Sequence, residues 1–528
     1  MASLKLFLLG IVICFGNPAA GTEADLSVAY QKIASGKRPQ IKKALKIIVE
    51  NRAGEYAGVL IALKESRLYF RDGVLLIRDN QGYHPWPAEM TAPEGKPRRI
   101  RINNSLRRSL NRTLGFLQIY SPDPALRLEA IRLLGSPRDP VVRRNLREVL
   151  EKEEDADVRH ALEKSLAMVD LDSDDSMDQL AALQVLARTG GQDAFIRLKQ
   201  MQRSADTDPL LLPDLNRALQ KIDMRIFLAK FLANTAYGIS LGSIMLMVSL
   251  GLAITFGLMG IINMAHGEMI MIGAYTTYVV QTIFSATLPG YLDYYIWLAL
   301  PASFLVAFLV GIVIELLVIR HLYGRPLETL LATWGLSLIL IQTVRMIFGA
   351  QNVEVASPSW LNGGWEIMDG LVLPFSRSFA VGVSIIVVLF VWWAMTRTSL
   401  GLRVRAIQMN RDMARCVGVD ARRVDLLTFG FGSGLAGLAG VILSQIGNVG
   451  PELGQGYIID SFMVVVVGGV GNVLGTVLGA TGLGVFNKYL EPFTGAVFGK
   501  ILILGLIILF IQRRPQGLFA IKGRSIET

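Results

Sequence analysis

The sequence predicts a mainly α-helical protein, in which an exported, mostly helical soluble domain precedes a polytopic transmembrane helical bundle of about 8–10 crossings, some of them broken. Three observations predict this fold class. Charged residues occur at a soluble level up to about Arg225, apolar runs dominate from Ile226 onward, and short basic clusters separate those runs. A helix rises about 1.5 Å per residue, so runs of this length can cross about 30 Å of hydrocarbon. The apolar runs are therefore expected to form membrane-spanning helices.

The start of the chain, residues 1–21, predicts a secretory signal peptide. Lys5 supplies the positive charge, residues 6–15 form an apolar core too short to span a bilayer, and small residues follow. An uncleaved membrane anchor is the alternative. Both interpretations place the soluble domain, residues 22–225, outside the cytoplasm and leave residues 226–528 as the transmembrane domain.

The soluble domain shows one strand signal and one helical repeat. Residues 69–75 indicate a β-hairpin with Asp72-Gly73 as its turn. Aspartates followed four residues later by arginine recur at a spacing of sixteen: Asp123, Asp139 and Asp155, with an echo at Asp193. Each aspartate is expected to cap a helix and to pair with its arginine. The pattern resembles HEAT-like repeats, and a plain capped helical bundle is an equal alternative.

The transmembrane domain contains nine apolar segments, roughly 230–262, 265–284, 295–319, 328–347, 378–395, 425–447, 458–470, 472–488 and 498–512. Basic clusters around Arg320, from Arg397 to Arg423, and after Arg513 are expected in the cytoplasm, and the connection 354–369 outside. Nine crossings from an outer N terminus to an inner C terminus satisfy these constraints. The same rule accounts for much of the net charge of +10, so no nucleic-acid partner is expected.

Two segments break the pattern of ordinary spanning helices: residues 257–268 and residues 468–475. Each places an asparagine, Asn263 or Asn472, among glycines, and paired interrupted helices indicate an internal duplication with a central site. Glu268 is expected to face the bundle interior or to lie near an interface, because a carboxylate at mid-membrane costs about 2.5–3.5 kcal/mol. Close helix packing is the alternative role for the glycines.

The long arginine-rich loop predicts an amphipathic helix over residues 404–419. Its apolar stripe would contain Met409, Met413 and Val417. Its polar face would contain Arg405, Gln408, Asp412 and Arg415. A cytoplasmic helix of this kind either lies on the lipid surface or inserts into a groove of a partner protein.

Over about residues 230–520 the chain resembles the permeases of branched-chain amino-acid-type ABC importers. The motifs, in order, are Asn263-Met264-Ala265-His266-Gly267-Glu268, Met271-Ile272-Gly273-Ala274-Tyr275, Tyr323-Gly324-Arg325-Pro326-Leu327, Gly401-Leu402-Arg403-Val404-Arg405-Ala406, Asp412-Met413-Ala414-Arg415-Cys416-Val417-Gly418, Val465-Val466-Val467-Gly468-Gly469-Val470-Gly471-Asn472 and Pro515-Gln516-Gly517-Leu518-Phe519. Within that family it is most similar to the urea-type permease, through residues 331–337 and the long exported domain.

The resemblance implies a location in the bacterial inner membrane and several partners: a second permease subunit, two cytoplasmic ATP-binding subunits and a periplasmic solute-binding protein. It also implies an ATPase-coupling loop that contains Arg405, Met409, Asp412, Met413, Ala414 and Gly418, although Asp412 stands where glutamate is usual. The sequence GxxxxGK[ST] of a phosphate-binding loop does not occur in the chain. ATP is therefore expected on the partner subunits, and the chain is expected to be a transport subunit without cofactors rather than an enzyme.

A small polar solute, most simply urea, is expected to meet hydrogen-bonding side chains along its path. The candidates are Asn263, His266, Glu268, Thr333, Ser337 and Asn472, with Trp334 as a wall. No metal is expected, because a spacing of two places His266 and Glu268 on different helix faces and no third ligand follows. The alternatives are a permease for branched-chain amino acids or other amides, an ATP-independent channel or carrier, and a membrane-bound enzyme or sensor.

Overall fold

The computed structural model describes residues 23–519, apart from residues 52, 80–81, 88–89, 91–96, 101, 136–139, 174, 205–207, 369–370 and 516. The described chain is mostly helical, as predicted, and divides into two compact units, Met1–Ile226 and Phe227–Thr528. The signal peptide predicted for residues 1–21 lies outside the described residues. The exported location of the first unit stays a prediction.

The first unit begins with three helices and a small sheet. The helices are α1 (Glu23–Ala34), α2 (Arg38–Glu50) and α3 (Ala57–Lys64), and the strands are β1 (Leu68–Arg71), β2 (Val74–Asp79), β3 (Gly82–Trp86) and β4 (Arg98–Arg99). The antiparallel sheet has the order β3-β2-β1-β4. The predicted hairpin is confirmed, because Asp72 and Gly73 join β1 to β2 with φ values of 46° and 80°, the conformations of a two-residue turn.

The repeat region of the first unit forms helices α4 (Asn104–Gln118), α5 (Pro124–Leu134), α6 (Pro140–Lys152), α7 (Ala156–Asp170), α8 (Ser176–Thr189) and α9 (Gln192–Arg203). Two predicted caps are confirmed, because Asp123 and Asp155 accept hydrogen bonds from backbone amides in the first turns of α5 and α7. Asp139 lies outside the described residues. Asp193 stands inside the first turn of α9, whose N-cap is Gly191, so its predicted capping role is wrong.

Two arginines of the repeat, Arg127 and Arg197, bind carboxylates elsewhere in the unit instead of their own aspartates. Arg127 donates to both carboxylate oxygens of Glu153, at 2.9 and 2.7 Å, and Arg197 binds Asp172. The expected pairs Asp123–Arg127 and Asp193–Arg197 are therefore wrong, and the pair of Asp139 with Arg143 lies outside the described residues. The side chain of Glu153 is 3 % exposed and needs a cation, whereas Asp123 is exposed. Burial raises the pKa of Glu153, but hydrogen bonds from Arg127 and neighbouring amides outweigh it, so its pKa lies below the ordinary value.

The second unit contains the end of α10 (Leu212–Met259) and the α-helices α11 (His266–Thr287), α12 (Tyr295–Leu317), α13 (Pro326–Phe348), α14 (Phe375–Arg397), α15 (Ser399–Met409), α16 (Arg411–Cys416), α17 (Ala421–Ser444), α18 (Gln455–Gly468) and α19 (Val473–Arg513), with a hairpin of β5 (Gly364–Met368) and β6 (Leu371–Pro374). Among the described residues, seven helices are long and apolar enough to cross a membrane, which confirms the polytopic bundle. Nine segments were predicted. The difference arises because α18 is short and because α19 holds the last two segments, divided at Gly495 with φ 76°.

Small residues let α11, α12 and α17 approach one another through their backbones. A Cβ on Gly437 of α17 would lie 2.7 Å from the Ser303 carbonyl oxygen of α12, and a Cβ on Gly440 would lie 2.6 Å from the Ala274 nitrogen of α11. No side chain fits at these distances, and such contacts are typical of helices that associate within lipid. Helices α12 and α17 therefore form a close-packed support for α11.

Candidate functional site

The first glycine-rich segment interrupts the membrane helices between α10 and α11. Gly260 turns the chain with φ 66°, and the side-chain oxygen of Asn263 accepts a hydrogen bond from the Ala265 amide at 3.0 Å. The Met264 amide donates to Thr333 Oγ1 of α13 at 3.1 Å. Irregular backbone at membrane depth persists only where protein or water satisfies it. These two bonds therefore explain how the interruption is held.

Polar side chains are buried at the start of α11. His266 and Glu268 are 0 % and 2 % exposed. Glu268 Oε1 accepts a hydrogen bond from Ser337 Oγ at 2.7 Å, and His266 Nε2 lies 3.1 Å from the Val248 carbonyl oxygen. Glu268 thus faces the bundle interior, as its cost in lipid predicts. Within the described part of the chain, His266 Nδ1 and Glu268 Oε2 have no hydrogen-bond partner, and no three His, Cys, Asp or Glu residues are grouped to hold a metal ion.

The second glycine-rich segment separates α18 from α19. Gly469 and Gly471 take φ values of 98° and 83°, which favour glycine. Asn472 caps α19, because its side-chain oxygen accepts a hydrogen bond from the Gly475 amide at 3.2 Å. Each interruption therefore contains an asparagine whose side chain organises the backbone of the following turn.

The two interrupted segments contact each other. A Cβ on Gly257 would lie 2.7 Å from Gly471 Cα, and a Cβ on Gly267 would lie 2.8 Å from the carbonyl oxygen of Gly454, which precedes α18. Backbone meets backbone at both ends of the first interruption. The close-packing role of the glycines therefore brings the interruptions to one place, which is also what a central site between repeats requires.

Most of the predicted pathway side chains are buried. The buried ones are Asn263, His266, Glu268, Thr333 and Ser337. Trp334 is 52 % exposed and lies apart from this group, because Thr333 and Ser337 share a helix face that the intervening position does not. Asn472 is half-buried and serves as a helix cap. The role of these residues in a solute pathway stays a prediction.

The arginine-rich loop folds as two short helices, α15 and α16, so the single helix expected over residues 404–419 is wrong. Asn410 is the reason: its backbone is extended, and its side chain caps α16 by accepting a hydrogen bond from the Met413 amide at 2.9 Å. The apolar stripe is exposed: Met409 at 88 %, Met413 at 63 % and Val417 at 76 %. Of the other predicted coupling residues, Arg405, Asp412 and Gly418 are exposed, and Ala414 is buried.

Contacts that the sequence patterns did not indicate join this loop to the membrane helices. Arg411 binds Asp425 of α17, and its guanidinium carbon lies 5.0 Å from the centre of the Tyr323 ring. Gln408 Nε2 donates to the Gly257 carbonyl oxygen at 3.3 Å. One sequence feature could have indicated the ion pair: Asp425 is an acidic residue close to the start of an apolar segment, where it needs a cation.

A charged pair between α18 and α19 was also missed. Lys500 Nζ lies 2.9 Å from Asp460 Oδ2. Each residue is a single charge within a long apolar run, and ionisable residues in spanning segments are rare and usually functional. That isolation was the signal that could have found them.

Within the described residues, seven apolar helices, two glycine interruptions that meet and an exposed apolar loop among arginines indicate a multi-pass membrane transport protein. Comparison with known proteins identifies its family. The family described as branched-chain amino acid transport system, permease component, matches residues 234–511, and the chain belongs to it.

Several curated relatives share this region. The high-affinity branched-chain amino acid transport system permease protein BraD of Pseudomonas aeruginosa is 29% identical over 294 residues, which cover 54% of this chain and 95% of BraD. LivH of Escherichia coli K12 is 29% identical over 298 residues, with the same coverage. LivM of that organism is 26% identical over 311 residues, which cover 54% of this chain and 70% of LivM. No solved structure gives a significant match.

The comparisons decide between several expectations. The chain is a transport subunit and not an enzyme, because its relatives are permease proteins. The urea assignment gains no support, and the names of the relatives favour the alternative, branched-chain amino acids.

Proposed function

We propose that the chain is the permease subunit of an ATP-driven ABC importer of the bacterial inner membrane. It would work with a second permease subunit, two cytoplasmic ATP-binding subunits and a periplasmic solute-binding protein. The observation that carries the proposal is the exposed apolar surface of residues 399–418, which we name the coupling elbow. Flexible methionines on an exposed surface suit a groove in a partner protein.

The coupling elbow is joined to the interrupted helices at two points. Arg411 connects it to α17, and Gln408 connects it to the backbone of Gly257, next to the place where the interruptions meet. A displacement of the elbow by the ATP-binding subunits would therefore move α10 and α17 together. Movement of these helices would open the buried polar group at the start of α11 to one side of the membrane and then to the other.

A branched-chain amino acid is the first candidate solute, since the names of BraD and LivH state that solute class. Urea is the second candidate, because the chain resembles the urea-type permease in having a long domain before the membrane helices. The first unit, up to Ile226, lies outside the family match, although the matched region covers 95% of BraD and of LivH. This additional unit distinguishes the chain from those amino acid permeases.

Uptake into proteoliposomes that contain the assembled transporter tests the function. We expect accumulation of labelled leucine that requires ATP and the solute-binding protein. Accumulation of urea without leucine would select the second candidate. Transport of either solute by this chain alone, without ATP, would overturn the importer and indicate a channel or carrier.

A single substitution tests the coupling elbow. Met413→Asp places a charge on an exposed apolar side chain, so it should leave folding intact and lower leucine uptake at least tenfold. Met177→Asp is the matched control, because Met177 is 71 % exposed in the first unit. Equal uptake by the two variants would contradict the docking role of the elbow.

We also propose that a signal peptide at residues 1–21 directs the first unit to the outside of the inner membrane. The coupling elbow contains Cys416, a free and exposed thiol. Labelling of this thiol reports on which side of the membrane the elbow lies. In spheroplasts, a membrane-impermeant maleimide should label Met177→Cys and leave Cys416 unlabelled until the membrane is opened. Labelling of Cys416 in intact spheroplasts would contradict the proposed orientation.

A further inference from the structure

Two ionised side chains meet inside the membrane unit, between α18 and α19. Lys500 Nζ lies 2.9 Å from Asp460 Oδ2 and 3.4 Å from the Gly456 carbonyl oxygen. The side chain of Asp460 is 4 % exposed, and that of Lys500 is 48 % exposed. The carboxylate is thus buried, whereas the lysine reaches from the helix surface inward to it.

The direction of the lysine side chain is unusual for an apolar helix. A lysine near hydrocarbon usually extends along the helix so that its ammonium group reaches water. The ammonium group of Lys500 is instead held against α18 by a carboxylate and a carbonyl oxygen. The pair places one positive and one negative group side by side, with no net charge.

A small cavity adjoins the pair and is otherwise lined by Met245, Met463, Leu483, Asn487 and Ile503. Asn487 is 8 % exposed, and within the part of the chain that the structure describes its side chain makes no hydrogen bond. The amide of Asn487 lines the cavity, so its hydrogen-bonding atoms are available to a ligand there. The cavity therefore combines a cation, an anion, a free amide and an apolar wall.

We propose that this cavity binds a zwitterionic α-amino acid with an apolar side chain, an inference that rests on the importer function proposed above. The ammonium group of Lys500 binds the ligand carboxylate, the carboxylate of Asp460 binds the ligand ammonium group, and the amide of Asn487 adds a hydrogen bond. The apolar wall contacts the ligand side chain. The exchange of one internal ion pair for two pairs with the ligand leaves no charge unpaired.

The ligand enters when α18 and α19 separate. The cavity volume is about 10 Å³, room for about one water molecule, which is too small for an amino acid. Gly471 precedes α19, and Gly495 lies within it five residues before Lys500. Both have positive φ and can serve as hinges. A rotation at these glycines would withdraw Lys500 from Asp460 and widen the cavity.

Binding of labelled leucine to the assembled transporter in nanodiscs tests the site, with the solute-binding protein omitted so that only the membrane subunits select the ligand. Two competitors separate the charges: leucinamide lacks the carboxylate, and 4-methylpentanoate lacks the amine. We expect leucine to compete at least tenfold better than either analogue, because each analogue leaves one member of the pair without a partner.

Three variants assign the roles. Lys500→Met should remove the advantage of leucine over leucinamide, and Asp460→Asn should remove its advantage over 4-methylpentanoate. The double variant keeps no unpaired charge, so it should remain folded and bind leucine at least tenfold more weakly. Lys488→Met is the control, because Lys488 pairs with Glu491 within α19, at 2.6 Å, away from the cavity lining, and this variant should bind leucine normally.

The outcomes separate this site from the proposed function. If wild-type proteoliposomes accumulate leucine while the Lys500 and Asp460 variants keep wild-type selectivity among the three compounds, the site is overturned and the importer stands. Absence of leucine binding by a transporter that accumulates urea would also overturn the site alone. Failure of the wild type to accumulate either solute with ATP would overturn the importer.

Discussion

In the first unit, the arginines of the repeat join distant segments by ion pairs, whereas in the membrane unit the closest helix contacts are made by glycine backbones. Arg127 reaches Glu153 across 26 positions of the chain, and Arg197 reaches Asp172 across 25. In the membrane unit, Gly257 contacts Gly471 and Gly267 contacts Gly454, with no room for a side chain. The same chain thus uses two kinds of helix contact.

The difference follows from the solvent of each unit. In the first unit, water hydrates the exposed part of an arginine side chain. The hydrophobic effect in water also drives apolar side chains to pack around its ion pair. Lipid tails give membrane helices no such driving force, so close van der Waals packing between small residues replaces it. The first unit should therefore be most sensitive to the removal of a buried charge, and the membrane unit should be most sensitive to a methyl group added at a close glycine contact.

The largest effect is expected from Arg127→Ala. Removal of one member of a buried ion pair leaves Glu153 without its cation, which should cost about 3–5 kcal/mol of local stability. Hydrogen exchange of the full chain should show the loss of protection in α5 and α7. Arg147→Ala is the control, since the side chain of Arg147 is 54 % exposed in its pair with Asp170, and it should cost about 0–1 kcal/mol.

A smaller effect, opposite in kind, is expected from Gly257→Ala. The new methyl group would stand 2.7 Å from Gly471 Cα, and since backbone cannot yield as a flexible side chain does, we expect a cost of about 1–3 kcal/mol. Leucine uptake should fall with it, because the interruptions can no longer meet. Gly482→Ala in α19 has open space around its Cβ and should behave as wild type. Equal losses of leucine uptake in both variants would contradict the idea that the space around a glycine decides the effect of an added methyl group.

Local and periodic features of the fold were predictable from the sequence. The apolar runs gave the positions of the membrane helices, the Asp-Gly pair gave the hairpin, and Asp123 and Asp155 gave two helix caps. Each of these depends on neighbours within a few residues or on a period that one helix repeats. The division of α19 at Gly495 was equally local and appeared as the gap between two predicted segments.

Pairings between distant residues were not predictable. Arg127 had an aspartate four positions away, yet its partner is set by the burial of Glu153, a property of the folded unit. Asp460 and Lys500 are 40 positions apart and meet only because α18 packs on α19. At the candidate site, the cost of a carboxylate in lipid predicted the interior position of Glu268, whereas the exposure of Trp334 required knowing which face of α13 is covered.

Acid should weaken the first unit specifically at Glu153. Its pKa is lower in the folded chain than its ordinary value of 4.5, so the ion pair contributes stability that is fully present above about pH 4.5. That contribution is lost as the pH falls through the depressed pKa of the folded state. Hydrogen exchange corrected for intrinsic rates should show protection of α5 and α7 falling below pH 4.5. In Glu153→Gln this added loss should be absent, and an unchanged pH response in that variant would assign the acid sensitivity to another group.

The smallest effect tests whether the contrast between the units is absolute. Gly58 lies in α3 with open space around its Cβ, so Gly58→Ala should stabilise the first unit by about 0.4–1 kcal/mol through a lower entropy of the unfolded chain. Gly115 of α4 is a contact of the membrane type, because its Cβ would lie 2.8 Å from the Ala130 carbonyl oxygen. Gly115→Ala should therefore destabilise the same unit. Opposite shifts in the exchange of α3 and α4 would show that the distance to the neighbouring backbone, and not the solvent alone, decides what a glycine does.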